Sequence, residues 1–459
     1  MSQPGPNRRT LLSRSIATLI GAPAIAVLGT AADAREPARS ARTAGGPLLP
    51  DSDRDQTAAL QAALDRAVLD GRPMLLPPGR FRASGLHLRA GLRMSGAGSR
   101  SVIVASGSGP ALVGEGAHEV QLRDFRVEGG AHHAVTDPRA ALLELRGARD
   151  VVVEGLIVVG GNTGLLLKDC SGRVSTSLIS GCRHTGLFSL DGAGVDIAGN
   201  TVRDCGDNGI LVWRSVSGAD GTRVTNNRIS GIAASSGGSG QNGNGINVFR
   251  ADAVMVSGNR ITDAAYSAVR ANASSNISII GNTAERIGEV ALYAEFGFQG
   301  ALIANNIVDG AATGISVTNF NEGGRLAVIQ GNLIRNLHRR EYEAVDRRGE
   351  GITVEADAAV SGNTIEGAAT AGIVIGWGRY MRDMAVTSNV VRTARVGIMV
   401  TSDAAAGHCL IAQNLISGAQ DGAIRKMAHG RPVGPDLIGL ATSDSRILVR
   451  ENVVTGASG

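Results

Sequence analysis

Between Val195 and Ile416 one line of sequence keeps returning: VDIAGNTV, then RVTNNRI, then VMVSGNRI, each followed after a gap by an apolar run such as GILV or GINV. The Asn of that line falls at Asn200, Asn227, Asn259, Asn282, Asn306, Asn332, Asn363, Asn389 and Asn414, at steps of about 23 to 32 residues. Self-similarity at such a period constrains a chain more than local propensity does, because no single unit can bury its own apolar face. Within a unit the apolar residues alternate (Val195 and Ile197, Ile210 and Val212), and Gly or Asn divides the runs. That is the pattern of short strands, not of helix. Strands of this length must stack on copies of themselves, about 4.8 Å apart, which predicts a parallel β-helix. A leucine-rich solenoid would show a Leu consensus with a helical half, and none is visible.

Asn at one point per turn has two physical reasons to be there. It tolerates the left-handed backbone of a tight corner. Pointing inward, its amide can also bond the equivalent amides above and below. Upstream the repeat is weaker: Phe125, Leu156 and Ser177 stand where Asn stands later, so the ladder is expected to begin at Asn200. The line resembles the repeats of the right-handed parallel β-helix proteins of the pectate-lyase-like superfamily, from about Pro50 to Val454. The resemblance implies an all-β, right-handed solenoid and is nearly silent about chemistry.

Length alone would allow about three average domains, but a solenoid grows without splitting, so residues 85–459 are expected to form one stack. The 64 glycines and 3% aromatics suit many tight corners around a narrow aliphatic core, and the net charge of +4 makes no case for a nucleic-acid partner. Arg8 and Arg9 precede an apolar run from Ile16 to Gly29 and then Ala32-Asp33-Ala34, an export signal with cleavage expected after Ala34. The run is too short, and too interrupted by Gly and Pro23, for a membrane span. The paired arginines resemble a twin-arginine signal, which implies export of the folded chain, by the twin-arginine machinery, to the periplasm or beyond. Residues 35–50 read as a flexible leader. Residues 51–84 read as a cap: Leu60, Ala63, Leu64, Ala67 and Val68 follow helical spacing and Gly71 closes the run. Residues 425–445 break the pattern and are expected to fold over the last coils as a loop. Cys182 and Cys205 fall at matching points of neighbouring repeats, close enough for a disulfide, although free buried thiols suit a chain that folds before export.

The two longest insertions, residues 231–244 and 335–350, emerge at the same edge, and insertions gathered on one side mark a binding face. On the Gly-Ile strand beside them the second and fourth residues after Gly are expected to point outward. The second-position column includes Asn247, Arg270, Tyr293 and Thr353; the fourth includes Trp213, Phe249, Asn272, Glu295 and Glu355, with Arg214, Arg250 and Trp377 just beyond. Aromatic faces interleaved with Arg, Asn and Glu suit a polysaccharide or envelope glycan, and this strip is the expected substrate groove. Glu295 and Glu355 stand two coils apart, about 9–10 Å by sheet spacing, near the separation of an inverting glycosidase pair. A lyase or epimerase would instead use Tyr293 or Arg270 as base on a sugar C5 proton, with a glutamate steadying the uronate. A solvated β-face with ordinary aromatics, serving a non-catalytic scaffold or a periplasmic accessory protein, is the alternative.

The superfamily's enzymatic signatures do not carry over. Gly407-His408-Cys409 is the nearest approach to the Gly-His-Gly of polygalacturonases, and their Asp-Asp pair has no counterpart. Asp137-Pro138-Arg139 lacks the His and Glu of the epimerase line. His118, His132, His133, His184, His338, His408 and His429 share no column, and no cofactor or metal is expected. With its twin-arginine leader, helical cap and Asn repeats, the whole chain resembles a group of exported bacterial repeat proteins of uncharacterised role.

Overall fold

Alternating apolar residues in runs of three to six give strands too short to stand alone, and winding is how this chain buries them. The computed structural model describes residues 47–129, 137, 139–238, 240–340, 349–440 and 444–456. The export signal, most of the leader, His132, His133 and Pro138 lie outside the described residues. Successive strands go in turn to three sheets, and coil pairs with coil in parallel. Sheet I takes the strands leading into the recurrent Asn (Asp196–Ala198, Arg223–Thr225, Met255–Ser257). Sheet II takes those leaving it (Thr201–Cys205, Arg228–Ile232, Arg260–Ala264). Sheet III takes the Gly-Ile strands (Asn208–Ala219, Asn244–Asp252, Val269–Asn272). With 15, 16 and 15 strands respectively, the parallel β-helix expected from the repeat is what forms.

The Asn residues stack inside it. Each Oδ1 accepts the backbone N–H and an Nδ2–H of the Asn one coil earlier: Asn200 reaches Asn227 at 2.9 and 3.0 Å, and Asn389 reaches Asn414 at 3.0 and 2.9 Å. The second Nδ2–H goes back to a sheet I carbonyl of the previous coil, Val174 for Asn200 and Ile303 for Asn332. One amide thus ties three coils together, in an interior where an unpaired polar group is costly. The row runs one coil further than the repeat suggests, to Asn452. Before Asn200 it gives way to a hydroxyl, with Ser177 Oγ accepting from the Leu156 N–H, and then to buried Leu156 and Phe125.

The left-handed turn belongs to a different residue from the one expected. Positive φ falls one position before each ladder Asn, at Gly199, Asn226, Gly258, Gly281, Asn305, Gly331, Gly362, Ser388, Gln413 and Glu451, and at none of the ladder residues. The ladder Asn is there for its amide, not for its backbone.

The cap helix, Thr57–Leu69, lays Leu60 and Leu64 on the first coil. Asp55 accepts the Thr57 N–H at 2.9 Å, and Gly71 leaves the helix at φ 63°. Among the described residues no helix is long and apolar enough to cross a membrane. The four cysteines are free and buried, with the Cys205 thiol donating to the Arg203 carbonyl at 3.5 Å. The stretch read as an irregular loop behaves otherwise: Ile424–Ala428 continues sheet III and Arg431–Asp436 folds back on it antiparallel, which closes the exposed edge.

Asn282→Ala removes the acceptor of the Asn259 N–H and of one Asn259 Nδ2–H, and one donor to the Val256 carbonyl. It is expected to cost about 3 kcal/mol in urea unfolding. Asn452→Ala, at the half-buried end of the row, is expected to cost clearly less.

Candidate functional site

Sheet III positions the predicted residues through its register. Leu211, Asn247, Arg270, Tyr293, Ser316, Thr353, Val374 and Met399 pair coil by coil, as do Trp213, Phe249, Asn272 and Glu295. The columns are as expected. Their surroundings are not, because most of this outward face is covered. Arg270 is 3% exposed, Glu295 0% and Glu355 6%, and Asn247, Asn272, Thr353 and Trp377 are also buried. Over these residues the strip expected to form an open substrate groove is a covered face.

The first insertion supplies part of the cover. Gly240, at φ +120°, rests directly against the Arg270 guanidinium, where any Cβ would overlap it, and Gly243 lies on the Tyr266 ring. Gln241 C=O accepts from Asn208 and Asn247. At residues 335–350 the segment 341–348 lies outside the described residues.

Under this cover Arg270 Nε donates to Glu295 Oε1 at 2.6 Å, and Asn272 Nδ2 donates to the same oxygen at 2.9 Å. Glu289 Oε2 is 3.8 Å from Arg270 Nη1, and the guanidinium lies 5.0 Å from the Tyr293 ring centre. Arg270 Nη1 and Glu295 Oε2 are buried with no hydrogen-bond partner. Burial pushes the Glu295 carboxyl above its ordinary value; Arg270 opposes the shift and Glu289 adds to it. Glu295 and Glu289 in turn hold the charge on Arg270 against burial. An arginine so paired cannot act as a base, which removes Arg270 from that role. Glu355 is engaged elsewhere, accepting the Phe320 N–H at 2.8 Å beside the Phe320–Tyr380 pair.

The N-terminal part of the face is different. Phe188, Trp213 and Phe249 lie on three successive coils, with ring centres 5.4 and 5.6 Å apart and planes crossed by 78° and 64°. Trp213 and Phe249 are half-buried, and Trp213 packs against the cluster of Leu166, Phe188 and Leu211. Arg250 stacks 4.8 Å from the Phe249 ring centre, and Arg214 donates to the Gly192 carbonyl. The rings form a herringbone, not a flat shelf. Trp377 is not part of it: it sits in the turn before Tyr380, edge-on to His429 at 5.6 Å, six coils and about 29 Å from Trp213.

Two features escaped sequence reasoning. Phe188 stands in the second-position column of TGLFSL, where its own Gly marks the register. His184 Nδ1 lies 2.6 Å from Asp207 Oδ2, to which Ser236 Oγ also donates at 2.7 Å, so this cluster pins the first insertion to the stack. Two surface clefts, about 610 Å³ beside Ile232, Arg286 and His338 and about 450 Å³ beside Arg339, Ala368 and Arg395, contain none of the predicted residues.

The raised Glu295 titration has a signed consequence. The folded state holds this proton more tightly than the unfolded chain, so its contribution falls as pH rises from about 4.5 through the folded pKa. In urea unfolding across that range, the stability of the wild type relative to Glu295→Gln is expected to decline with pH. A relative stability that rises with pH contradicts the direction.

The chain matches a family described as a right handed beta helix region over residues 215–391, and one described as periplasmic copper-binding protein (NosD) over residues 97–285. No curated protein matches it. Among solved structures it is similar to the pre-mature gene product 12 of bacteriophage phi29, at 12% identity and TM-score 0.50, covering 89% of this chain and 71% of that one. It is also similar to the catalytic unit of an α-1,3-glucanase from Streptomyces thermodiastaticus (18%, TM-score 0.46, covering 91% and 70%). A third is the A-module of a mannuronan C-5 epimerase from Azotobacter vinelandii (15%, TM-score 0.41, covering 88% and 97%). At such identities the likeness speaks to fold alone. Copper needs converging thiolate, thioether or imidazole donors, and among the described residues no three of His, Cys, Asp and Glu converge. The thiols are buried, and burial pushes Cys409 up to about 12, so it stays protonated. Among the described residues, then, His, Cys, Asp and Glu form no donor set that fits copper. What the repeat, the three sheets and the family match agree on is the architecture: the chain is a right-handed parallel β-helix repeat protein.

Proposed function

We propose that this is an exported protein that binds an extended polysaccharide or envelope glycan along the N-terminal part of sheet III. The observation that carries the reading is the half-buried pair Trp213 and Phe249, continued by buried Phe188 on the preceding coil, with Arg214 and Arg250 beside it. Crossed rings on successive coils offer apolar faces and edges about every 4.8 Å along the stack, and the arginines supply donors for hydroxyl or carboxylate groups. An acidic, uronate-rich chain suits those donors better than a neutral one. Asn247, Asn272 and Thr353, lying further along the face under cover, extend the contact only if that cover moves.

Binding without chemistry is the reading the geometry favours, since Arg270 is committed as a cation and Glu295 and Glu355 have separate partners. Processing by Glu295 as a general acid, beside Tyr293, is the second reading; it draws on the raised titration and unpaired Oε2 of that carboxyl. The resemblance of Arg8-Arg9 and the apolar run to a twin-arginine signal supports an address in the periplasm or outside the cell, as does the word periplasmic in the matching family's description.

Affinity electrophoresis and calorimetry against a panel of neutral and uronate-rich polymers test the proposal. Trp213→Ala and Phe249→Ala are each expected to weaken binding about tenfold, from the loss of one aromatic contact, with no product released by the wild type. Unchanged affinity in both variants contradicts the binding row. New chain ends or unsaturated sugars, abolished by Glu295→Gln, would replace binding with processing.

A further inference from the structure

Burial on its own selects apolar side chains, and one outward column of sheet III departs from that rule only in its middle. The column opens with Leu166, Phe188 and Leu211 and closes with Val374 and Met399, all buried. Between them, coil by coil, stand Asn247, Arg270, Tyr293, Ser316 and Thr353. Apart from Tyr293, which is partly exposed, these are as buried as the apolar residues at either end, at 3% exposed or less. The polar stretch is about 19 Å long. Within it Asn244 Oδ1, Ser267 Oγ, Arg270 Nη1, Glu295 Oε2, Thr313 Oγ1 and Thr353 Oγ1 are buried with no hydrogen-bond partner among the described residues. Unpaired groups in a dry setting are destabilising, so a stretch that gathers several points to a polar occupant. The atoms themselves narrow its chemistry. Glu295 opposes an anion and Arg270 opposes a cation, whereas a hydroxyl both donates and accepts. That complement fits the neutral hydroxyls of a sugar ring better than a carboxylate or a metal ion.

Three sides of this stretch are built. Along one flank the two insertions meet over Tyr266, with Gly243 against the ring and the Arg340 guanidinium 5.5 Å from its centre. On the other flank the turn Phe320–Glu322 is fastened to Glu355 through the Phe320 N–H. At the far end Val374, Met399 and Met427 pack with Ala371 and Val396 into an apolar wall. The fourth side faces the aromatic row, because Asn247 and half-buried Phe249 share one strand. We infer that the end of a glycan chain enters the polar stretch from this row, so that the protein reads chain ends and not chain interiors. The inference rests on the glycan reading above and adds which part of the polymer is held. A groove open at both ends lets a chain lie across it at any point, whereas this one stops at the apolar wall. Entry displaces Gly240 from the Arg270 guanidinium, and sugar hydroxyls take the place of that backbone.

Calorimetric titration of the full chain with the polymers of the panel, among them a linear polyuronate and a linear neutral glucan, tests the inference. Each is used intact and after mild acid hydrolysis. For a polymer that binds, the protein bound per gram is expected to rise in proportion to the number of chain ends. Thr313→Val and Thr353→Val delete unpaired hydroxyls at nearly constant shape. Each is expected to weaken binding about tenfold without lowering stability in urea. Binding that depends on Trp213 but stays constant per gram after hydrolysis overturns end recognition and leaves the glycan face standing. Binding indifferent to both threonine variants does the same. If no polymer of the panel binds, the glycan reading falls and this inference with it.

Discussion

The buried side-chain amide is the interaction on which this architecture rests. A stack of short strands has no helix or long sheet to fix its register, and Val, Ile and Leu in a narrow core pack almost equally well one residue out of step. An amide does not tolerate that slip. Displaced from its neighbours, each Asn would leave two donors and an acceptor unpaired in a dry interior, at about 1–3 kcal/mol for each group. Repeated from Asn200 to Asn452, the penalty makes one register far better than its competitors and aligns the other columns as a consequence. Where the row is absent, Phe125 and Leu156 fill the same space, and bulk takes over from hydrogen bonding.

Register decides what the outside of the solenoid can do, because it brings side chains distant in sequence onto lines. On sheet III those lines have two fates. The aromatic part stays half-open, while the Arg270–Glu295 pair is sealed beneath the Gly240 backbone. A buried ion pair with an unpaired oxygen is costly and gives little net stability, so its presence on an outward face sets this region apart from the aromatic part of the same sheet. The His184–Asp207–Ser236 cluster holds the same insertion at its other end, so the cover is fastened to the stack at two places.

The fold was legible because periodicity survives without context: nine Asn and two alternating runs per unit predict the stack, the columns and the inward ladder, although the Asn corner cuts the first run into two strands and so makes three sheets. Burial of the columns was not legible. The cover comes from insertions that have no period, and nothing in GIAASSGGSGQNGN says that its glycines fold back onto an arginine rather than out into water. The left-handed corner was assigned to the wrong residue because Gly or Asn so often precedes the ladder Asn; Ser388, Gln413 and Glu451 in that place show that the corner tolerates many side chains while the amide does not. Phe188 was missed because the repeat is weak before Asn200.

A crystal structure of the protein is the measurement that bears on this foundation. Asn227, Asn259 and Asn282 should superpose along the solenoid axis at about 4.8 Å intervals, with each Oδ1 bridging the backbone and side-chain N–H of the residue before it. If those three side chains point to solvent or stand out of line, the register argument fails, and with it every alignment drawn from it on the outer faces.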